Sequence, residues 1–485
     1  MKNSVLAVVS AAAMLLAVTA YAEPAPLGVS HLASDAATAK PWNITHGGPG
    51  HDNGWAIHPL EDGLLLAGWT ASTGQGSADG WLLRLDKDGR ELWNKTYGGP
   101  GNDRIVAMSP TDDGYILAGY TTSYGAGFSD LWLLRTDGGG NELWNRTYGG
   151  RDHDNGWAVC TTDGGIAVTG FTASYGAPNS NLWILHTDSQ GNEQWNVTYG
   201  GPGCETGFAI KPANGGYTVA GYYESCGGPY DLWLLHTDDE GTMRWNRTYG
   251  GDGIEVARDM AVLDDGYALT GWTSTYGSGG TDAWLLVTDS QGHIRVSRTY
   301  GGPGDDGGFA IKPVNDGYAI AGWTASYGAG GQDAWLLTTD SHGNVGWEYH
   351  AGGPGDDVIY GLASAGNTFL MTGTTDSYGS GKDDLWLLGL DDPQLSIRPR
   401  GGLGLTVQMA SQAVETRRDI SWTASLDGRI VPRAMSGVIA ELPAGESTSF
   451  SIPIFGLGPV TATVTIGDVQ RHARFLSLGP FLLPG

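Results

Sequence analysis

An acidic residue stands four positions after a double glycine at seven places in this chain: Asp52, Asp103, Asp154, Glu205, Glu255, Asp306 and Asp357. Seven carboxylates at one station can do one of two things. Gathered on one face they form an oxygen-rich, cation-attracting ring of the kind that suits Ca²⁺. Kept apart, each accepts backbone N–H groups of its own glycine-rich loop. Repetition without exception favours bracing, because a specialised site breaks the symmetry of a repeat. A second acid or amide, two residues before a recurrent Trp, sits at Asp79, Asp130, Asn181, Asp231, Asp282, Asp333 and Asp384, a turn position that reads as capping.

Other reactive types are sparse. His51, His58, His153 and His186 are scattered, and the chain has no zinc-ligand spacing, no Gly-x-Ser-x-Gly and no phosphate loop. No catalytic set is legible. In the fourth repeat a Ser-Tyr-Gly loop becomes Ser225-Cys226-Gly227, and Cys204 lies in the double-glycine loop of the same repeat. A Cys204–Cys226 disulfide is expected there, with Cys160 a buried thiol on an inner strand. Aromatic residues fill the same face: Tyr124, Tyr175, Tyr276, Tyr327 and Tyr378 in the loops, and Trp55, Trp157, Phe208, Phe309 and Tyr360 at the start of inner strands. An aromatic and acidic rim suits a glycan or a peptide. The fifth repeat departs from the pattern with Asp252, Ile254, Val256 and Arg258. Five sequons, at Asn43, Asn94, Asn145, Asn196 and Asn246, fall on the last strand of a repeat and mark N-glycosylation positions.

What positions these residues is a repeat. The double glycine recurs at Gly47, Gly98, Gly149, Gly200, Gly250, Gly301 and Gly352, a spacing of about 50 residues. Each unit holds four short apolar runs, in the second unit 104–109, 115–121, 131–135 and 142–148. Four strands per unit match a propeller blade and are too long for the rungs of a β-helix. A Trp-Asn-x-Thr strand at Trp42 precedes the first unit, while the last unit lacks its fourth strand. The Trp42–His46 segment is therefore expected to complete the seventh blade and close the ring, which removes the open sheet edges. Trp81, Trp132, Trp183, Trp233, Trp284, Trp335 and Trp386 occur once per repeat and read as packing between blades.

The turn Asp-x-x-Gly-x-x-x-Trp, at Asp86/Gly89/Trp93, Asp137/Gly140/Trp144, Asp188/Gly191/Trp195, Asp238/Gly241/Trp245 and Asp340/Gly343/Trp347, resembles the tryptophan-docked repeat of PQQ-type propellers. The whole unit also resembles secreted repeat proteins of methanogenic archaea and some bacteria. These resemblances imply the fold more than an activity. A quinoprotein oxidoreductase is the enzyme they would imply, but many such enzymes carry an adjacent cysteine pair, and the three cysteines here lie far apart.

Together these features predict an all-β chain: a signal peptide at 1–22, a linker at 23–40, a seven-bladed β-propeller at 41–392 and an Ig-like β-sandwich at 393–485. Lys2, the apolar run from Val5 to Val18 and Ala20-Tyr21-Ala22 give the export signal. The tail alternates at strand length between Gly, Pro and Asp turns and resembles C-terminal β-domains of surface proteins. The net charge is −26, all of it in the repeats, which excludes nucleic acid and anionic membranes as partners. The expectation is a secreted or cell-surface binder of a glycan or surface protein, without a required cofactor. An architectural envelope protein is the alternative.

Overall fold

The computed structural model describes residues 42–391 apart from 163, 225, 226, 315, 316 and 367. In the tail it describes 395–400, 405–411, 417–442, 447–466 and 469–484. The signal and linker segments, 1–22 and 23–40, lie outside the described residues.

Among the described residues there is no helix, and none therefore is long and apolar enough to cross a membrane. The described strands of the repeats form seven four-stranded antiparallel sheets. In the first, Asp52–Leu60 is innermost, then Gly63–Thr70, Asp79–Asp86 and Glu91–Tyr97. The reason for the order lies in the residues. The second and third strands, GLLLAGWT and DGWLLRLD, are apolar without alternation and buried almost throughout, as strands covered on both faces must be. The fourth, ELWNKTY, alternates and is mostly open to solvent, so it takes the outside. The other sheets repeat this plan.

Sheets pack face to face. Leu82 and Leu65 of the first meet Ile105, Leu117 and Trp132 of the second in one core cluster, and similar clusters join the following pairs. The third-strand tryptophans are all buried in these seams, as their repetition predicted. Each inner strand contacts the next, and Asp52–Leu60 contacts Asp357–Ala365 of the seventh sheet. That sheet takes its outer strand from the other end of the chain: Trp42 pairs with Gly389 and His46 with Leu385. Repeated four-stranded sheets packed through their inner strands make a β-propeller-like fold.

The inner strands share one irregularity. Register slips between Gly54 and Ala56, and at the same station in the other six. This β-bulge leaves one extra residue per sheet and re-aims its side chain. The seven extra residues are Trp55, Val106, Trp157, Phe208, Arg258, Phe309 and Tyr360.

In the tail, a three-stranded sheet (Leu395–Arg400, Leu405–Ser411, Ser447–Ile452) and a five-stranded sheet built on Arg417–Val431 and Phe455–Ile466 share a single core. Leu405, Val407, Met409 and Ile452 of the first meet Ala424, Leu426, Ala462 and Val464 of the second.

Candidate functional site: the loop face and the central channel

The seven acids stand where the repeat predicted, and their surroundings decide between the two chemistries. All seven are fully buried. Asp103 shows the arrangement: Oδ2 accepts the Gly99 N–H at 2.7 Å and the Ser123 hydroxyl at 2.6 Å, and Oδ1 accepts the Thr121 hydroxyl. Asp52, Asp154, Asp306 and Asp357 repeat it with their own glycine, serine and threonine. Glu255 accepts Gly251 N–H, the Thr273 hydroxyl and Thr275 N–H. Glu205 differs: Tyr223 replaces the threonine, Gly201 N–H is bonded at 3.2 Å, and Oε1 is buried without a partner among the described residues. A carboxylate whose oxygens are engaged by donors of its own loop braces that loop and has little left for a cation. Among the described residues no cluster of three His, Cys, Asp or Glu side chains could hold a metal.

Six of the braces face a second acid, and Glu205 faces the amide of Asn181. Around Gly149, for example, the carboxyl groups of Asp130 and Asp154 both crowd the space a Cβ would take. Burial first, and then the facing acid, raise Asp231, and the same two causes with opposing backbone N–H bonds raise Asp130, Asp282, Asp333 and Asp384. Asp130 caps its turn by accepting the Gly127 N–H at 3.0 Å, as the sequence predicted. Asn181 does the neutral equivalent from Ala177 N–H.

Outside these braces stand the tyrosines. Tyr124, Tyr175, Tyr276, Tyr327 and Tyr378 are 37–45% exposed. Each hydroxyl donates to the carbonyl of the first loop glycine, Gly98, Gly149, Gly250, Gly301 and Gly352, at 2.7–3.1 Å. The result is a set of ring faces fixed at both ends and open to solvent. The acidic part of the expected rim lies beneath them, covered.

At the centre the bulged residues meet. Trp55 stacks on Tyr360 at 4.4 Å between ring centroids and approaches Trp157 at 6.3 Å, Trp157 meets Phe208 at 5.8 Å, and Phe309 meets Tyr360 at 4.9 Å. Arg258 fills the gap, its guanidinium 4.0 Å from the Phe208 ring centre and 4.8 Å from that of Phe309. This belt borders a cavity of about 210 Å³ lined also by Ala56, Ile210, Lys211 and Asp259. Burial pushes Arg258 down to about 10, which leaves it charged at neutral pH. The aromatic positions and Arg258 stand out in the sequence, but their convergence does not, because only the bulge turns them inward.

Of the cysteines, Cys160 is buried and its thiol pushed up to about 12 by burial. Cys204 is half-buried, and its N–H donates to Glu224 Oε2 at 3.1 Å. Cys226 lies outside the described residues, and with it the expected disulfide. The sequon asparagines are on outer strands: Asn94, Asn196 and Asn246 exposed, Asn43 and Asn145 half-buried.

No family model and no curated protein matches the sequence. Solved structures do. The polysaccharide lyase Uly1 is 10% identical and covers 70% of this chain and 90% of its own, with a TM-score of 0.45. The WD40 β-propeller domain of Doa1 is 11% identical over 72% of this chain and 96% of its own, TM-score 0.42. The phage phi92 endosialidase is 11% identical over 72% and 69%, TM-score 0.42. At such identities a likeness concerns fold alone, and the fold stands on the sheets described above.

Proposed function

We propose that this chain is an exported seven-bladed β-propeller, closed by its Trp42–His46 strand and followed by an Ig-like β-sandwich, that binds a glycan through its loop face. The ring closure is supported by the Trp42–Gly389 pairing and by bonds from the seventh sheet to the first, such as Asp52 N–H to Asp383 O at 2.7 Å. The two tail sheets on one core support the sandwich. Export is supported by the apolar leader and its cleavage site. The packing of Trp93 against Gly140 supports a tryptophan-docked, PQQ-type repeat.

The observation that carries the binding function is the crown of five half-exposed tyrosines. A sugar ring stacks on an aromatic face, and a face already immobilised loses little entropy on binding. Their hydroxyls are spent on glycine carbonyls, so what they offer a ligand is the ring. The net charge of −26 favours a neutral polymer over a polyanion at this outer surface.

Affinity electrophoresis of the full chain through gels cast with neutral polysaccharides tests this. Retardation is expected for the natural protein and for Tyr175→Phe/Tyr327→Phe, which keep the rings. It is lost in Tyr175→Ala/Tyr327→Ala. No retardation in any gel contradicts glycan binding and favours the architectural alternative.

A further inference from the structure

We infer that the central channel is a second site, for a small carboxylate anion, with Arg258 as its anchor. This goes beyond the loop-face function and does not depend on it.

The fifth sheet breaks symmetry at two adjacent stations. Where the other sheets place Trp55, Val106, Trp157, Phe208, Phe309 and Tyr360, it places Arg258. At the next station, where five have alanine and one has Gly361, it places Asp259. Neither change is needed for packing, since six sheets form the same bulge without them.

Among the described residues Arg258 Nε is buried without a hydrogen-bond partner, and ring faces surround the guanidinium: Phe208, Phe309 and, at 5.8 Å, Trp272. The neighbouring carboxylate is committed elsewhere, because Asp259 Oδ1 accepts its own neighbour's N–H from Met260 at 2.8 Å and Oδ2 accepts Ile311 N–H at 3.0 Å. Trp55 Nε1 and Trp157 Nε1, in the same belt, are also buried donors without partners among the described residues. Buried polar groups in native proteins are almost always satisfied, and an exception calls for a missing water or ion.

Every orphan here is a donor. Guanidinium and indole N–H accept nothing, so what completes them must be an acceptor, and beside a cation it is an anion. A guanidinium pairs with a planar carboxylate through two parallel bonds. Lys211 lines the same cavity. Lys312 lies near it, and burial lowers its affinity for a proton. The 210 Å³ volume admits one small molecule, not a polymer segment. The aromatic belt and the alanines below it favour an anion with a compact ring or apolar body. A free organic acid and the acidic end residue of a glycan share this chemistry.

Titration calorimetry of the full chain with benzoate, with free glucuronate and with a glucuronate-terminated oligosaccharide tests the site. Binding of at least one probe is expected. Arg258→Phe should weaken it about tenfold or more, and Arg258→Lys, which keeps charge but loses the fork, should fall between. Arg258→Phe restores the residue of the fourth and sixth sheets, so it should fold and melt no lower than the natural protein. Benzoate alone binding points to a free acid, and the oligosaccharide binding as tightly as glucuronate points to a glycan end. Absence of binding by all three probes, or equal binding by Arg258→Phe, overturns the inference. A lower melting temperature of Arg258→Phe with no anion binding by the natural chain assigns Arg258 to packing. Tyr175→Ala/Tyr327→Ala should leave the titration unchanged, which separates this site from the loop face.

Discussion

The indole of Trp93 lies so close to Gly140 of the next sheet that a Cβ at that glycine would stand 2.8 Å from the ring. The contact recurs as Trp144 on Gly191 at 2.9 Å, Trp195 on Gly241 at 2.7 Å and Trp245 on Gly292 at 3.0 Å. Beside it a tyrosine ties the same turn, Tyr97 Oη donating to Gly140 O at 2.5 Å and Tyr249 Oη to Gly292 O at 2.5 Å. The outer strands of the first five sheets thus latch the turn of the following sheet, four through tryptophan and tyrosine and the fifth through Tyr300. The latch needs glycine twice over, for space and for a φ of +73° at Gly140.

Gly140→Ala is therefore expected to destabilise by about 3 kcal/mol, strain and clash together. Gly215→Ala is the control. Its φ is +76° but nothing lies within 4 Å of its Cβ position, so strain alone should cost about 1 kcal/mol. Denaturant midpoints measure both, and equal losses would remove the packing part of the latch.

Deleting a brace should be as costly. Asp103→Ala leaves Gly99 N–H and the Thr121 and Ser123 hydroxyls without their acceptor in a buried loop, a loss of about 3 kcal/mol. Arg90→Ala, which breaks an exposed pair with Asp88, should change stability by less than about 0.5 kcal/mol. Calcium should not shift the melting temperature of the natural protein. A clear upward shift would return the loop carboxylates to cation binding.

Stability should depend on pH with two signs. Asp130, Asp231, Asp282, Asp333 and Asp384 have folded-state values raised by burial and a facing acid. The folded state then binds more protons than the unfolded one, so stability increases as pH falls from neutral into the carboxylate range. The turn aspartates act oppositely. Backbone N–H bonds, led by that of His293, hold Asp289 at about 2, and side-chain and backbone bonds from Asn141 lower Asp137. Their contribution is lost only below the ordinary carboxylate range. Melting temperatures should peak in weak acid, and Asp130→Asn, which copies Asn181, should flatten the rise. A monotonic fall from neutral pH would contradict the assignment.

Made in a host that modifies sequons during secretion, the chain should carry glycans mostly at Asn94, Asn196 and Asn246, where the side chains are exposed. Asn43 and Asn145, half-buried, should be the least occupied. Peptide mass spectrometry before and after enzymatic deglycosylation gives the occupancies.

Much of the fold was legible because a repeat averages out local ambiguity. The runs 104–109, 115–121, 131–135 and 142–148 lie inside the observed strands Asp103–Pro110, Gly114–Thr121, Asp130–Asp137 and Glu142–Tyr148. Bracing by the loop acids was legible for the same reason. The aromatic belt around Arg258 was not, since a bulge is a one-residue slip without a composition signal, and it brings Arg258 and Trp55 to the lining of one cavity. The tail has no repeat, so its strands could be read but not their pairing, such as Arg417–Val431 between Ala434–Leu442 and Phe455–Ile466.

The most direct test of the central claim is deuterium exchange of the full chain with and without the polysaccharide that retards it in gels. Binding at the loop face predicts slower exchange in the loops at 122–129, 173–180, 274–281, 325–332 and 376–383, with the outer strands and tail unchanged. Protection confined to the tail or to the outer strands would contradict it.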